Sequence, residues 1–155
     1  MPTEKVFQHQ STFPTTIEKM VAFHNHPRAI NRLTPLPLIV QCLRDGRTSL
    51  TNGELVFRLW FGPIPVRWIA RHEPGPTEHS FQDRMIDGPL ESWLHQHIFT
   101  EVPGGVQLTD RITFAHKPGF PGLLTRLVFD GLPLRFLFIY RHFRTRLSVK
   151  GFKIE

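Results

Sequence analysis

Apolar side chains recur at every second position between residues 38 and 116, and with the helical period after residue 116. Leu55, Phe57, Leu59 and Phe61 show the alternation most clearly. A period of two is typical of a strand with one buried face. Gly and Pro breaks separate the successive runs, which predicts a series of β-hairpins whose apolar face must be covered. A long helix at the end of the chain is the only predicted element large enough to cover it.

The pattern predicts seven strands, at residues 5–13, 38–42, 55–61, 66–72, 78–87, 92–101 and 106–116. Two short helices follow the first strand, at residues 15–24 and 28–33. Thr15 and Glu18 fit a capping box at the start of the first of them. The predicted fold class is α+β, an antiparallel seven-stranded sheet wrapped around a long C-terminal helix, with two short helices after strand 1.

The last part of the chain is predicted to be helical in two pieces. Residues 123–129 form the first piece, and the Asp-Gly-Leu-Pro sequence at residues 130–133 ends or restarts it, because Pro lacks a backbone donor. Apolar side chains at helical spacing then predict one buried stripe on the long final helix: Phe136, Tyr140, Phe143 and Leu147.

The composition is that of an ordinary globular domain, with 155 residues, 40% hydrophobic and 21% charged. We therefore expect a single domain over residues 1–155. Cys42 is the only cysteine, which excludes an internal disulfide and a Cys-based zinc site. The chain shows neither the apolar stretch of a signal peptide nor a run long enough to cross a bilayer, so a cytoplasmic location is expected.

The net charge of +6 is concentrated at the end of the chain. Residues 126–155 carry seven basic and two acidic side chains. The chain has no zinc-finger spacing and no ribonucleoprotein signature, so no nucleic-acid partner is expected. Two interpretations stay open: a solvated face on the last helix, or a weak contact of this helix with an anionic membrane or an acidic partner.

The inward face of the last three strands combines large apolar residues with four polar ones, Asp83, His95, His97 and Asp110. A three-residue turn before the sixth strand places Asp83 directly opposite His95. A two-residue turn at residues 104–105 places His97 diagonal to Asp110. Each carboxylate is thus predicted to have a histidine within reach, which buried charges require.

Three interpretations of these four residues compete. They form a buried polar network that fixes the sheet, or a polar patch that orients an apolar ligand in a cavity. Alternatively they are an acid–base pair, because a histidine beside a carboxylate carries protons near neutral pH.

A metal site is a further alternative. His95 and His97 followed by Glu101 resemble the first motif of the cupin family. The second cupin motif is missing, so neither a metal nor another cofactor is expected. The remaining histidines show no ligand spacing and are predicted to be surface or half-buried residues: His9, His24, His26, His72, His79, His116 and His142.

Several short stretches together resemble ligand-binding proteins of the SRPBCC superfamily. They are Phe81-Gln-Asp83, Gly88-Pro89, and the segments at residues 93–99, 108–112 and 138–142. This is the helix-grip group that includes START lipid-transfer domains, polyketide cyclases/dehydrases and plant pollen allergens. The resemblance covers nearly the whole chain. Within the superfamily, the chain is similar to a subgroup of small bacterial proteins, some of which are fused to epimerase domains.

The resemblance implies a deep apolar cavity between the sheet and the last helix. By that analogy its lining is Phe57, Trp68, Met85, His95, His97, Phe114, Phe136 and Tyr140. The implied function is a carrier or sensor of a hydrophobic small molecule such as a lipid, a polyketide or an aromatic compound. The alternative is a cyclase- or dehydratase-like acid–base enzyme, although the catalytic set of polyketide cyclases finds no match in this chain.

Overall fold

A computed structural model describes residues 3–152 of the chain. Strands β1 to β7 span Lys5–Phe13, Leu38–Asp45, Gly53–Phe61, Ile64–Pro74, Ser80–Asp87, Ser92–Val102 and Gly105–Ala115. Helices α1 to α4 span Ile17–Asn25, Ala29–Arg32, Phe120–Arg126 and Gly131–Lys150. Lys153 and Glu155, which belong to the basic end of the sequence, lie outside the described residues.

All seven strands form one antiparallel sheet in the order β1-β7-β6-β5-β4-β3-β2. The predicted α+β class and the order of elements are confirmed. The main core lies between the sheet and α4, where Trp68 and Trp93 of the sheet pack with Phe129, Leu134 and Phe138. Burial of these rings and aliphatic chains is the dominant stabilising term for such a layer.

Helix α4 begins where the sequence predicts a restart. Asp130 is its N-cap and accepts a hydrogen bond from the Gly131 backbone N–H at 2.9 Å. Gly131 has φ +53°, a conformation that glycine adopts without steric cost. Pro133 therefore stands in the first turn, where a missing N–H is tolerated.

The predicted buried stripe of α4 is wrong. Phe136, Phe143 and Leu147 are 63%, 55% and 54% exposed, and Tyr140 is only half-buried. A second, less apolar stripe on the opposite side of the helix is buried instead and packs towards the sheet: Leu134, Leu137, Phe138, His142, Thr145 and Val149. The helix has two apolar sides, and a polar contact described below determines which side faces the sheet.

The predicted capping box at Thr15 and Glu18 is also wrong, because the N-cap lies one residue later. The N-cap of α1 is Thr16, whose Oγ1 accepts a hydrogen bond from the Lys19 N–H at 3.3 Å. Thr15 cannot take that place, because its own N–H is bonded to the Phe13 carbonyl at 2.9 Å and holds it in the preceding turn.

Of the two hairpin registers predicted around Asp83, His95, His97 and Asp110, one is confirmed and the other is wrong. Asp83 pairs directly with His95, as the three-residue turn predicts. On the other side Val102 pairs with Gly105, so His97 opposes Asp110 directly and not diagonally. Gly105 belongs to β7 because its backbone closely approaches the Phe13 carbonyl, where a Cβ atom would collide. The turn therefore moves back by one residue, and every side chain keeps its face.

Candidate functional site

The four predicted polar residues meet on the inward face of β5, β6 and β7. Their hydrogen bonds run along diagonals of the sheet, not between the directly opposed residues. His95 Nε2 lies 2.7 Å from Asp110 Oδ1, and His97 Nε2 lies 3.0 Å from Asp83 Oδ2. The two imidazole rings lie next to each other, with their centroids 3.7 Å apart and their planes inclined by 30°. The prediction that each carboxylate has a histidine partner is confirmed.

A fifth member of this cluster, His142, comes from α4. Its Nε2 lies 2.6 Å from Asp110 Oδ2, and its Nδ1 lies 2.8 Å from Ser11 Oγ. The sequence prediction placed His142 at or near the surface, but it is 3% exposed. The spacing of Leu134, Phe138 and His142 at intervals of four residues is the signal that would have found it.

Three other histidines are buried, contrary to the sequence prediction. His24 on α1 is 7% exposed and bonds to the Met20 carbonyl at 2.7 Å. His72 on β4 is 8% exposed and bonds to the Leu50 carbonyl at 2.9 Å. His116 is 4% exposed and contacts Thr125 and Asp130 away from the cluster. The first two add imidazole rings to the surroundings of His97.

Burial and hydrogen bonding together set the protonation of the cluster. Burial raises the pKa of Asp110, but hydrogen bonds from His142 and His95 outweigh it, so the pKa lies well below the usual range. Burial likewise raises the pKa of Asp83, and the hydrogen bond from His97 reverses this and lowers it. Both carboxyl groups are therefore ionised and act only as acceptors.

The pKa values of His95 and His97 shift in opposite directions. Burial and the neighbouring His97 lower the pKa of His95 to about 4. Burial also lowers the pKa of His97, but the carboxylates of Asp110 and Asp83 outweigh it and the net pKa is raised. The neutral form is thus favoured at His95, and the charged form is favoured more at His97 than at His95.

The carboxylates also fix the tautomer of His95. Asp110 accepts, so His95 Nε2 carries the proton and Nδ1 of the neutral ring keeps its lone pair. That Nδ1 is 3.9 Å from Asp83 Oδ2, and no described residue forms a hydrogen bond with it. His97 Nδ1 is 3.1 Å from Asp110 Oδ1 but lacks the alignment of a hydrogen bond.

A cavity of about 130 Å³ lies between the sheet, α2 and α4. One part of its wall is apolar and includes Val40, Leu55, Phe57, Leu59, Trp68 and Trp93. The other part is polar and includes His24, His72, Asp83, His95, His97 and Arg141. The cavity thus has an apolar region next to the His–Asp cluster.

Half of the predicted cavity lining is found there. Phe57, Trp68, His95 and His97 line the cavity. Met85 and Phe114 pack in the core outside it. Tyr140 does not reach the cavity, and the prediction for Phe136 is wrong, because it lies on the exposed side of α4.

Two arginines, both missed by the sequence analysis, line the cavity and differ in their partners. Arg47 is neutralised by Asp45, with an Nη2–Oδ2 distance of 2.7 Å. Arg141 forms no salt bridge with any residue between 3 and 152, and its guanidinium lies 5.4 Å from the centre of the Phe138 ring. Burial lowers the pKa of Arg141, and the carboxylates of Asp110 and Asp83 counteract this. Of the two cavity arginines, Arg141 is therefore the one without an acidic partner among the described residues.

The donor set of Asp83, His95 and His97 has a chemical type that binds divalent metals, and its nearest ligand atoms lie within 4.8 Å of one another. Within this set Asp83 Oδ2 and His97 Nε2 already form a hydrogen bond of 3.0 Å. Glu101, the third ligand of the cupin alternative, is exposed and pairs with Val106 away from the histidines.

Sequence comparisons alone do not place the chain in a family. No family model matches it. A glycerol kinase from Lactobacillus acidophilus is 32% identical over 53 residues, which are 33% of this chain and 11% of the kinase. The chain thus spans about a tenth of the length of that curated relative.

Solved structures share the fold over nearly the whole chain. A nucleoside-diphosphate sugar epimerase from Corynebacterium glutamicum has a TM-score of 0.67 at 24% identity, over 93% of this chain and 29% of the epimerase. The Zhui aromatase/cyclase from Streptomyces sp. R1128 has a TM-score of 0.69 at 12% identity, over 96% of this chain and 94% of the cyclase. Ara h 8.0201 has a TM-score of 0.60 at 12% identity, over 94% of this chain and all of that protein (100%).

The chain shares a helix-grip fold with these solved structures. The fold that the sequence resemblance implies is thereby confirmed. The proteins with this fold include an aromatase/cyclase and an epimerase, and the shared fold makes up less than a third of the epimerase. A shared fold does not determine chemistry, so the function has to be argued from the cavity and its polar wall.

Proposed function

We propose that the protein binds a small ring-containing apolar molecule that carries a hydroxyl or carboxyl group, as a carrier or sensor. The observation that supports this most is the composition of the cavity wall. Aromatic and aliphatic side chains surround one part, while His95 Nδ1 offers an acceptor and Arg141 offers donors at the other. An apolar pocket with a few placed polar groups is the usual form of a small-molecule site.

The size of the cavity limits the ligand. An engineered apolar cavity of about 150 Å³ accepts one benzene molecule. The volume of about 130 Å³ found here therefore fits a ligand close to one ring in size. A lipid chain or a polyketide of several rings would require the lining side chains to move. A ring-containing ligand also agrees with the name of the aromatase/cyclase among the structural neighbours.

Binding of p-cresol, measured by calorimetry and by saturation-transfer NMR, tests the proposal. Ala70 lines the cavity and is 4% exposed, so Ala70→Leu fills part of the space. We expect saturable binding to the unaltered protein and a loss of about tenfold or more in Ala70→Leu. Thr113→Leu adds a similar side chain on the outer face of β7 and is expected to bind as the unaltered protein does. No binding, or equal binding by Ala70→Leu, would contradict the proposal.

The alternative function is acid–base catalysis on a molecule held in the same cavity. What favours it is that His95 and His97 lie side by side at the cavity wall and that their pKa values shift in opposite directions, lowered for His95 by burial and raised for His97 by the two carboxylates. Such a pair is suited to remove a proton beside a carbonyl and to return it.

Deuterium exchange at the methyl group of acetophenone in D₂O, followed by ¹H NMR, separates the two functions. Catalysis predicts exchange that is lost in His95→Gln and His97→Gln but kept in His79→Gln, an exposed histidine. Binding alone predicts no exchange above the rate in buffer. The exchange rate is the informative readout, because both inner substitutions also remove buried hydrogen bonds and lower stability.

A further inference from the structure

The outer side of α3 and α4 exposes an unusual number of large apolar side chains. Nine of them are between 48% and 78% exposed: Phe120, Leu123, Leu124, Leu127, Leu132, Phe136, Ile139, Phe143 and Leu147. We call this set the outer apolar face. Scattered exposed apolar residues are ordinary, but this many on two successive helices indicate an interaction surface.

The α4 part of this face is a narrow stripe. Leu132, Phe136, Ile139, Phe143 and Leu147 follow intervals of four and three residues, so they lie on one side of a helix with 3.6 residues per turn. The residues that pack on the sheet lie on the opposite side. The stripe therefore lies on the side of α4 that faces away from the sheet.

The charge around the outer apolar face is mostly of one sign. Besides the cavity residue Arg141, the chain between residues 117 and 150 carries six Lys and Arg residues and a single acidic one, Asp130. Asp130 is already bonded to Lys5 at 2.7 Å and to His116 at 3.1 Å. Arg126, Arg135 and Lys150 are exposed on the same two helices. Apolar residues flanked by Arg and Lys, without acids, are typical of helices that lie in a membrane interface.

We infer that α3 and α4 dock on an anionic lipid surface, with the outer apolar face inserted among the acyl chains near the headgroups. The cations would then contact lipid phosphates. Docking of two copies through this face is disfavoured, because it would bring two sets of Arg and Lys together without acidic partners. No helix among residues 3–152 is long and apolar enough to cross a membrane. This inference does not depend on what the cavity binds.

Sedimentation with phosphatidylcholine vesicles, with and without phosphatidylglycerol, tests the apolar part. We expect binding to the anionic vesicles and a loss of about tenfold or more in the double variant Phe136→Ser/Phe143→Ser. The matched control is Val6→Ser/Ile64→Ser, because these two residues are 58% and 61% exposed on the sheet. The control is expected to bind as the unaltered protein does.

The electrostatic part is tested by Arg135→Gln/Lys150→Gln on the same vesicles. Each basic residue near an anionic surface strengthens binding about fivefold, so we expect the variant to bind about tenfold or more weakly than the unaltered protein, and its binding to fall further as salt is added. Arg58→Gln/Arg67→Gln is the control, since these two exposed arginines oppose each other on β3 and β4.

Three results would overturn the inference. The first is that the unaltered protein stays in the supernatant with anionic vesicles. The second is that the two double variants bind as well as their controls do. The third is a dimer in sedimentation velocity without lipid that dissociates in Phe136→Ser/Phe143→Ser, which would make the outer apolar face a protein interface instead.

Discussion

His142 Nε2 lies 2.6 Å from Asp110 Oδ2, so a buried hydrogen bond joins the last helix to the last strand. Both residues are 3% exposed. The other oxygen of Asp110 lies 2.7 Å from His95 Nε2, which places one carboxylate between a helix and the cavity wall. This bond accounts for the orientation of α4: the stripe that contains His142 faces the sheet, although the opposite stripe is more apolar.

Asp110→Asn is expected to lower the free energy of unfolding by about 3–5 kcal/mol, the range for removing one partner of a buried ion pair. The amide of Asn brings two donors towards histidine N–H groups that need an acceptor. Urea unfolding at neutral pH measures the change. Asp87→Asn is the control, because Asp87 is exposed on β5, and it should stay within about 0.5 kcal/mol. A loss below about 1 kcal/mol in Asp110→Asn would show that the cluster does not stabilise the fold.

The two sides of α4 provide a second comparison. Phe138 is 1% exposed and its ring lies 5.3 Å from those of Phe7 and His95, whereas Phe136 is 63% exposed. Phe138→Ala should therefore lower the free energy of unfolding by about 3–5 kcal/mol. Phe136→Ala should change it by no more than about 0.5 kcal/mol. Equal losses for the two variants would mean that α4 is rotated in solution relative to the structure described here.

Strand phase and one hairpin register were predictable from the sequence because they depend on local signals. The alternation of apolar residues identifies the inward face of every strand, and the turn at residues 88–90 gives the pairing of Asp83 with His95. The second register was not predictable, because Gly105 is placed by its contact with Phe13, which is 92 positions away in the chain. Backbone register also leaves the side-chain rotamers open, so the diagonal hydrogen bonds could not be derived.

The site residues on the helices were harder to predict from the sequence than those on the strands. A search for the most apolar stripe selects Phe136, Phe143 and Leu147, because hydrophobicity alone cannot tell a core-facing side from an outer one. The buried stripe contains His142 and Thr145, which look like surface residues when read alone. Arg141 is found only once this stripe is known, since it lies between Phe138 and Thr145 on the same side of the helix.

The buried histidines predict a loss of stability in mild acid. The folded-state pKa values of His24 and His95 are lowered to about 3 and about 4, with burial as the largest cause for both. Unfolding exposes rings with a pKa of about 6.5, so between pH 6.5 and 4 the unfolded chain binds more protons than the folded one. Stability therefore decreases as the pH decreases through this range. Each ring contributes about 1.4 kcal/mol per pH unit in this window. His97 has a raised pKa, so its contribution is fully present below pH 6.5 and is lost only as the pH rises through its folded-state value.

Urea unfolding at pH values from 6.5 down to 5 measures this slope. At these values Asp83 and Asp110, whose lowered pKa values stabilise the fold above about pH 4, remain ionised in both states. His24→Gln should reduce the slope by about 1.4 kcal/mol per pH unit, whereas the exposed-site variant His79→Gln should not change it. An unchanged slope in His24→Gln would mean that His24 is charged in the folded protein.

Because Arg141 lines the cavity, we expect the cavity to prefer ligands that carry a carboxylate. Its guanidinium lines the cavity and has no salt-bridge partner among the described residues, so a benzoate anion in the cavity would supply one. Arg141→Met keeps much of the chain length and its contact with Phe138 but removes the charge. We expect the affinity for benzoate to fall about tenfold or more in this variant, while the affinity for p-cresol changes by less than about threefold. Calorimetric titration of both probes against both proteins gives the comparison, and an equal fall for the two probes would indicate that Arg141 only shapes the cavity.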